Sequence, residues 1–265
     1  MKTLHVRLAA PAAPDATATL AGPADGRESN LTRVAALARA PAPASGPSGS
    51  MPGPRATAIL IDVLRATTTL SVAKYHGASR VIAAESVREA RELKARHPEA
   101  LLCGERDGRI LPGFDLGNSP FEYTRERVEN RLLIFASTNG SQSLKLAASA
   151  RRRVLGAFVS ASAVVERVAA DAEVWIVAAG RLGQPSLEDL ACAGWIARAL
   201  AVRGFRLASP SARLVSALAP PDAAGVRALV EGASHARALC GLGPAFARDV
   251  GYCATLDALN DAYEV

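Results

Sequence analysis

Four short polar strings stand directly after apolar runs in this chain, and their residue types are those that handle anions and metals. They are Asp62-Val63-Leu64-Arg65-Ala66-Thr67-Thr68-Thr69, Gly104-Glu105-Arg106-Asp107-Gly108, Ser137-Thr138-Asn139-Gly140-Ser141 and Ala179-Gly180-Arg181. Asp62 closes the run Ala58-Ile59-Leu60-Ile61, so its carboxylate emerges at a strand end, as a metal ligand, a nucleophile or a helix N-cap. Arg65 and Thr67-Thr68 follow at a helix start, where N–H groups and the dipole favour phosphate and an Arg fork binds it at two points. The same threonines would also serve for packing and hydroxyl capping. Thr138, Asn139 and Gly140 make either an oxyanion cradle or a tight turn. Glu105, in a loop between Gly104 and Arg106, is a candidate metal ligand. Glu188 and Asp189 are either acidic partners of a helix dipole or Mg²⁺ ligands, and Ser186 stands at capping-box distance from Asp189. Among the histidines, His235, near Ser234 and Arg237, is kept as a minor candidate.

The elements that must carry these strings are strands and helices in alternation. Ala58–Ile61, Val81–Ala84, Leu101–Cys103, Leu132–Phe135, Val154–Phe158 and Val174–Ala178 read as strands. Helices follow at 66–75, 87–96 (capped by Ser86), 142–148, 161–168 and 188–201. Leu4-His5-Val6 alternates like an edge strand of the same fold. Apolar strands buried on both faces predict an α/β protein, a three-layer α/β/α arrangement with a largely parallel or mixed central sheet. Ligands of such sheets sit beyond the carboxyl ends of the strands, where all four polar strings fall.

The chain divides into 1–10, carrying the first strand, an insertion at 11–55, and a domain over 56–265. The insertion holds eight of the sixteen prolines among Ala, Gly and Ser, which predicts a flexible segment with one short helix after Asn30. It would serve as a linker or as a tether to a partner protein.

The 265 residues are 49% hydrophobic, with mean hydropathy +0.13, enough for a sizeable core and inconsistent with disorder throughout. No apolar stretch reaches membrane-spanning length, and Met1–Arg7 makes no secretory signal, so a soluble cytoplasmic protein with no membrane partner is expected. Cys103, Cys192, Cys240 and Cys253 have no paired spacing and read as reduced thiols. The net charge of +6 is spread along the chain, which disfavours nucleic acid and suits an anionic small molecule. The phosphate-loop, dinucleotide and nucleophile-elbow motifs are absent from the sequence.

Taken with Gly113-Phe114-Asp115-Leu116-Gly117-Asn118-Ser119-Pro120, Cys192-Ala193-Gly194 and Asp249-Val250-Gly251-Tyr252-Cys253, the strings resemble the 2-phosphosulfolactate phosphatase family in order and spacing. The resemblance covers Ala56 to the C-terminus. It implies a Mg²⁺-dependent phosphatase acting on a phosphorylated, sulfonated 2-hydroxy acid in the route to coenzyme M. Departures are the Pro-rich insertion, Ser141 in place of Thr, and Ser160 in place of Asn. On that reading Asp62, Arg65 and Glu105 are catalytic, and Asp62, Glu105, Glu188 or Asp189 hold the metal. Thr67, Thr68, Thr138, Asn139 and Gly140 hold the phosphate. Arg106 or Arg181 takes the other anionic group, and Asn118 and Ser119 close over the ligand. A homodimer is allowed, although the sequence displays no interface. The competing reading is a protein that binds a phosphorylated or sulfonated metabolite without turning it over.

Overall fold

The computed structural model describes residues 1–8, 52–137, 143–144 and 146–265. Most of the Pro-rich insertion, its helix after Asn30, the Thr138-Asn139-Gly140 turn and part of the 142–148 helix lie outside the described residues.

Nine strands are described: β1 (Thr3–Leu8), β2 (Thr57–Ile61), β3 (Arg80–Ala84), β4 (Leu101–Arg106), β5 (Arg109–Ile110), β6 (Leu132–Ala136), β7 (Arg152–Gly156), β8 (Glu173–Ala178) and β9 (Arg206–Leu207). They form two sheets, one ordered β7-β2-β8-β1-β9 and the other β3-β6-β4-β5. Every pairing in the first sheet is parallel; in the second, only the β4–β5 hairpin is antiparallel. The α/β class with largely parallel strands is therefore as expected, and the strands are divided between two layers. β1 is not an edge strand, because the two-residue β9 pairs along its outer side, a strand too short to show in the sequence pattern.

The division has a visible cause in α1 (Ala66–Tyr75), eight of whose ten residues are buried. Its Leu70 and Ala73 pack in one cluster with Leu155 of the first sheet and Val81, Leu133 and Phe135 of the second. A helix between two sheets must satisfy its polar groups internally. Its hydroxyls do so on backbone carbonyls: Thr68 on Val63 at 2.9 Å, Thr69 on Asn118 at 3.0 Å and Ser71 on Thr67 at 2.7 Å.

α2 (Val87–Arg96) begins at the expected cap, with Ser86 Oγ accepting from the Glu89 N–H at 3.1 Å. The one-turn α3 (Arg125–Val128) precedes β6, and α4 (Ala161–Val168) follows β7. α5 (Leu187–Val202) packs with α4 over the first sheet. The sequence reading assigned no element after Ala201. There the chain forms α6 (Pro210–Ala217), α7 (Ala223–Glu231), α8 (Ser234–Cys240) and α9 (Pro244–Cys253), whose Val215, Val226, Ala236 and Val250 join the same core. Gly194 of α5 permits the contact with α6, since a Cβ there would lie 2.1 Å from the Val215 carbonyl oxygen. No helix among the described residues is long and apolar enough to cross a membrane.

Candidate active site

Strand β2 is buried at every position and lies between β7 and β8, so the residue that follows it is carried to the interior of the sheet's carboxyl edge. That residue is Asp62, 5% exposed. A cavity of about 260 Å³ opens there, lined by Asp62, Arg65, Glu105, Asn118, Arg181 and His235, with Leu64, Leu182, Leu239 and Leu242 as its apolar part. Three separate strand ends and the C-terminal helix α8 thus converge on one volume.

Burial pushes the Asp62 carboxyl up to about 6; His235 opposes the rise, Glu105 adds to it, the Ala66 N–H opposes it, and Glu188 adds to it. Arg65 is also buried, with Nη1 donating to Asp249 Oδ2 and Nη2 to the Gly108 carbonyl at 2.7 Å. The Phe246 ring lies 5.1 Å from its guanidinium carbon. The second oxygen of Asp249 accepts from Ser119 Oγ at 2.6 Å. Asn118, one residue before Ser119, is 5% exposed, and its Oδ1 is buried without a hydrogen-bond partner. A buried acceptor with no partner is costly unless something else occupies the site.

Glu105 reaches the cavity from β4, a strand position paired with Ile110, where a loop was expected. Arg106, the next residue on the same strand, is exposed and does not line the cavity, as the alternation of strand side chains requires. Arg181 lines the cavity from a tight turn in which Gly180, at φ +66°, could not carry a Cβ, which would lie 2.3 Å from the Gln184 carbonyl.

Other expected site residues have structural occupations. Thr67 Oγ1 donates to the Gly156 carbonyl at 2.7 Å and accepts from the Asp62 N–H at 3.0 Å, while its own N–H bonds the Asp62 carbonyl at 3.0 Å. Thr68 is turned to the Val63 carbonyl. The Thr138, Asn139 and Gly140 positions lie outside the described residues.

The acidic pair on α5 separates into two functions. Asp189 accepts from the Val63 N–H at 2.8 Å and from the Gly180 N–H at 2.9 Å, tying the loops after β2 and β8 together. Burial, with Glu188 and Asp62 nearby, raises its carboxyl well above the usual range. Ser186 makes no side-chain cap to α5, so the spacing that suggested a capping box serves this cross-loop tie instead. Glu188, 1% exposed, faces His235, with Oε1 2.9 Å from Nδ1.

The string Gly113–Pro120 is pinned where a closing loop was expected. Asp115 Oδ2 accepts from the Leu102 N–H at 2.8 Å, the Gly104 N–H bonds the Leu116 carbonyl at 2.9 Å, and Tyr123 Oη donates to Gly117 at 2.8 Å. Only Asn118 of this string lines the cavity. Asp249 and Phe246 were given no role in the sequence reading; the C-terminal resemblance around Asp249 was the one available signal.

A buried carboxylate and a fixed guanidinium beside one cavity are chemically suited to an anionic ligand. Comparison with known proteins agrees. The sequence model of the family described as 2-phosphosulpholactate phosphatase matches residues 44–264. A Synechococcus protein named probable 2-phosphosulfolactate phosphatase is 38% identical over 222 residues, covering 82% of this chain and 90% of its own length. Proteins of the same name from Carboxydothermus hydrogenoformans (41% identical, 76% and 83% covered) and Thermotoga petrophila (36% identical, 76% and 85% covered) match in the same way. The chain belongs to the 2-phosphosulfolactate phosphatase family of phosphoric monoester hydrolases.

Proposed function

We propose that this chain hydrolyses 2-phosphosulfolactate to sulfolactate and inorganic phosphate in the cavity at Asp62, with Mg²⁺. The observation that carries the reading is the convergence of Asp62, Arg65, Glu105, Asn118, Arg181 and His235 on one volume of about 260 Å³. A substrate with phosphate, carboxylate and sulfonate groups needs several fixed cationic or N–H donors, and Arg65, Arg181 and His235 supply them from three sides of the chain.

The donor set suits Mg²⁺. Asp62 and Glu105 offer carboxylate oxygens, which are hard ligands. No group of three His, Cys, Asp or Glu able to hold a metal is found among the described residues, so water and substrate oxygens would have to complete the ion's shell. When bound, Mg²⁺ supplies positive charge to the phosphoryl oxygens and lowers the pKa of water. Glu188 and Asp189 are left out of this set, because neither lines the cavity.

Arg65 keeps its remaining N–H donors for the phosphoryl group and stabilises the charge that gathers there. Water bonds to phosphorus, the bond to the substrate's 2-oxygen breaks, and that oxygen takes up the proton water gives up and leaves as the hydroxyl of sulfolactate. Arg181 holds the anionic end remote from phosphorus. Leu64, Leu239 and Leu242 limit water around the reacting centre.

The free cysteines support a reducing compartment, and we place the protein in the cytoplasm with a small-molecule partner and no nucleic acid, a homodimer being allowed; sedimentation and cell fractionation check this. The catalytic reading is tested by phosphate release from 2-phosphosulfolactate, 2-phospholactate and related phosphorylated 2-hydroxy acids, with Mg²⁺ and with EDTA. The expected result is metal-dependent release, fastest from the sulfonated substrate. Binding of one of these compounds without release would make the chain a metabolite-binding protein.

A further inference from the structure

Arg65 is held from two sides by one element that lies far along the chain. Asp249 on α9 takes Nη1, and Phe246, one turn earlier on the same helix, faces the guanidinium plane at 5.1 Å. The Gly108 carbonyl takes Nη2 at 2.7 Å. Both side chains of the ion pair are 3% exposed. A buried ion pair is a poor source of stability, because desolvating two charges cancels most of their attraction. What such a pair does supply is geometry, a guanidinium plane fixed in direction at the wall of the cavity.

The same Asp249 carboxylate also holds the segment next to Asn118. Its Oδ1 accepts from Ser119 Oγ at 2.6 Å, and the adjoining Asn118 lines the cavity. A single aspartate therefore ties Arg65 to the segment that carries Asn118 and Ser119. On the phosphatase reading above, we infer that Asp249, with Phe246, is the positioning residue for Arg65, and that the C-terminal helix α9 acts on the phosphoryl group only through that guanidinium.

The test is a double-mutant cycle. kcat/KM on 2-phosphosulfolactate and the affinity for inorganic phosphate are measured for wild type, Asp249→Asn, Arg65→Ala and the double variant. Asp249→Asn should lower kcat/KM by about 10²-fold when Arg65 is present, the scale of a small misplacement of a reacting group. It should cost less than about twofold once Arg65 is gone. A loss of equal size in both backgrounds would show that Asp249 serves folding alone and overturn the inference, as would an unchanged kcat/KM in Asp249→Asn. If Asp249→Asn does not fold, Phe246→Leu takes its place: a selective loss in the Arg65 background supports the clamp, and an equal loss in both overturns it. If the wild type releases no phosphate from any ester, the phosphatase reading fails, and the cycle is read from phosphate affinity alone. A wild type that binds no inorganic phosphate refutes the positioning of Arg65 for a phosphoryl group.

Discussion

Replacing Asp62 by asparagine should make the metal-free protein more stable at neutral pH while removing its chemistry. The magnitude follows from the environment of the carboxyl. It titrates near 3.8 when the chain is unfolded and is pushed up to about 6 in the fold, chiefly by burial. Between those values the folded state holds the proton more tightly than the unfolded state does. The stability contributed by the protonated group is therefore fully present below pH 3.8 and is lost as pH rises through 6. At about 1.4 kcal/mol for each pK unit, the ionised Asp62 costs the fold about 3 kcal/mol at pH 8. Asparagine keeps the shape and the acceptor for the Ala66 N–H without the charge, so the variant avoids that cost. The assay is urea unfolding in EDTA at pH 4 and pH 8. With an m-value of about 3 kcal/mol/M, the variant's midpoint should lie about 1 M above wild type at pH 8 and close to it at pH 4. Mg²⁺ at a hundred times its Kd should then stabilise wild type by about 3 kcal/mol and leave the variant nearly unmoved. A difference between the proteins that does not change with pH would refute the reasoning.

Asp189→Asn should lower stability by about 1–3 kcal/mol, because an amide N–H₂ would then face the N–H of Gly180 or Val63, and Mg²⁺ titration should show affinity retained. Gly194→Ala forces a Cβ against the Val215 carbonyl and should cost about 2 kcal/mol or more in chemical denaturation, without changing KM in the folded fraction. Arg181→Ala should raise KM by about tenfold with a smaller change in kcat, since its charge meets the part of the substrate that does not react.

The carboxyl edge of the first sheet was legible because its signals are local. An apolar run followed at once by Asp62, and Ser86 followed three residues later by Glu89, state where a strand or helix ends and what stands there. Helices at 66–75, 87–96 and 161–168 appear with those bounds. Residues whose partners are remote were misread. Thr67 and Asp189 have the chemistry of phosphate or metal ligands, yet they bond the Gly156 carbonyl and the Val63 N–H, groups that only the folded topology brings near. Glu105 and Arg106 looked equivalent until the β4–β5 hairpin gave them opposite faces. Asp249 meets Arg65 across 184 residues, and no periodicity or motif spacing can encode such a contact.

The most direct test of the account is kcat/KM for 2-phosphosulfolactate in wild type and Asp62→Asn, each shown to be folded, at saturating Mg²⁺. Loss of the carboxylate at the head of β2 should lower the value by about 10²-fold or more, the scale of one lost electrostatic contact to the transition state. A variant that keeps its activity within twofold would place the chemistry elsewhere and contradict the assignment of this cavity as the active site.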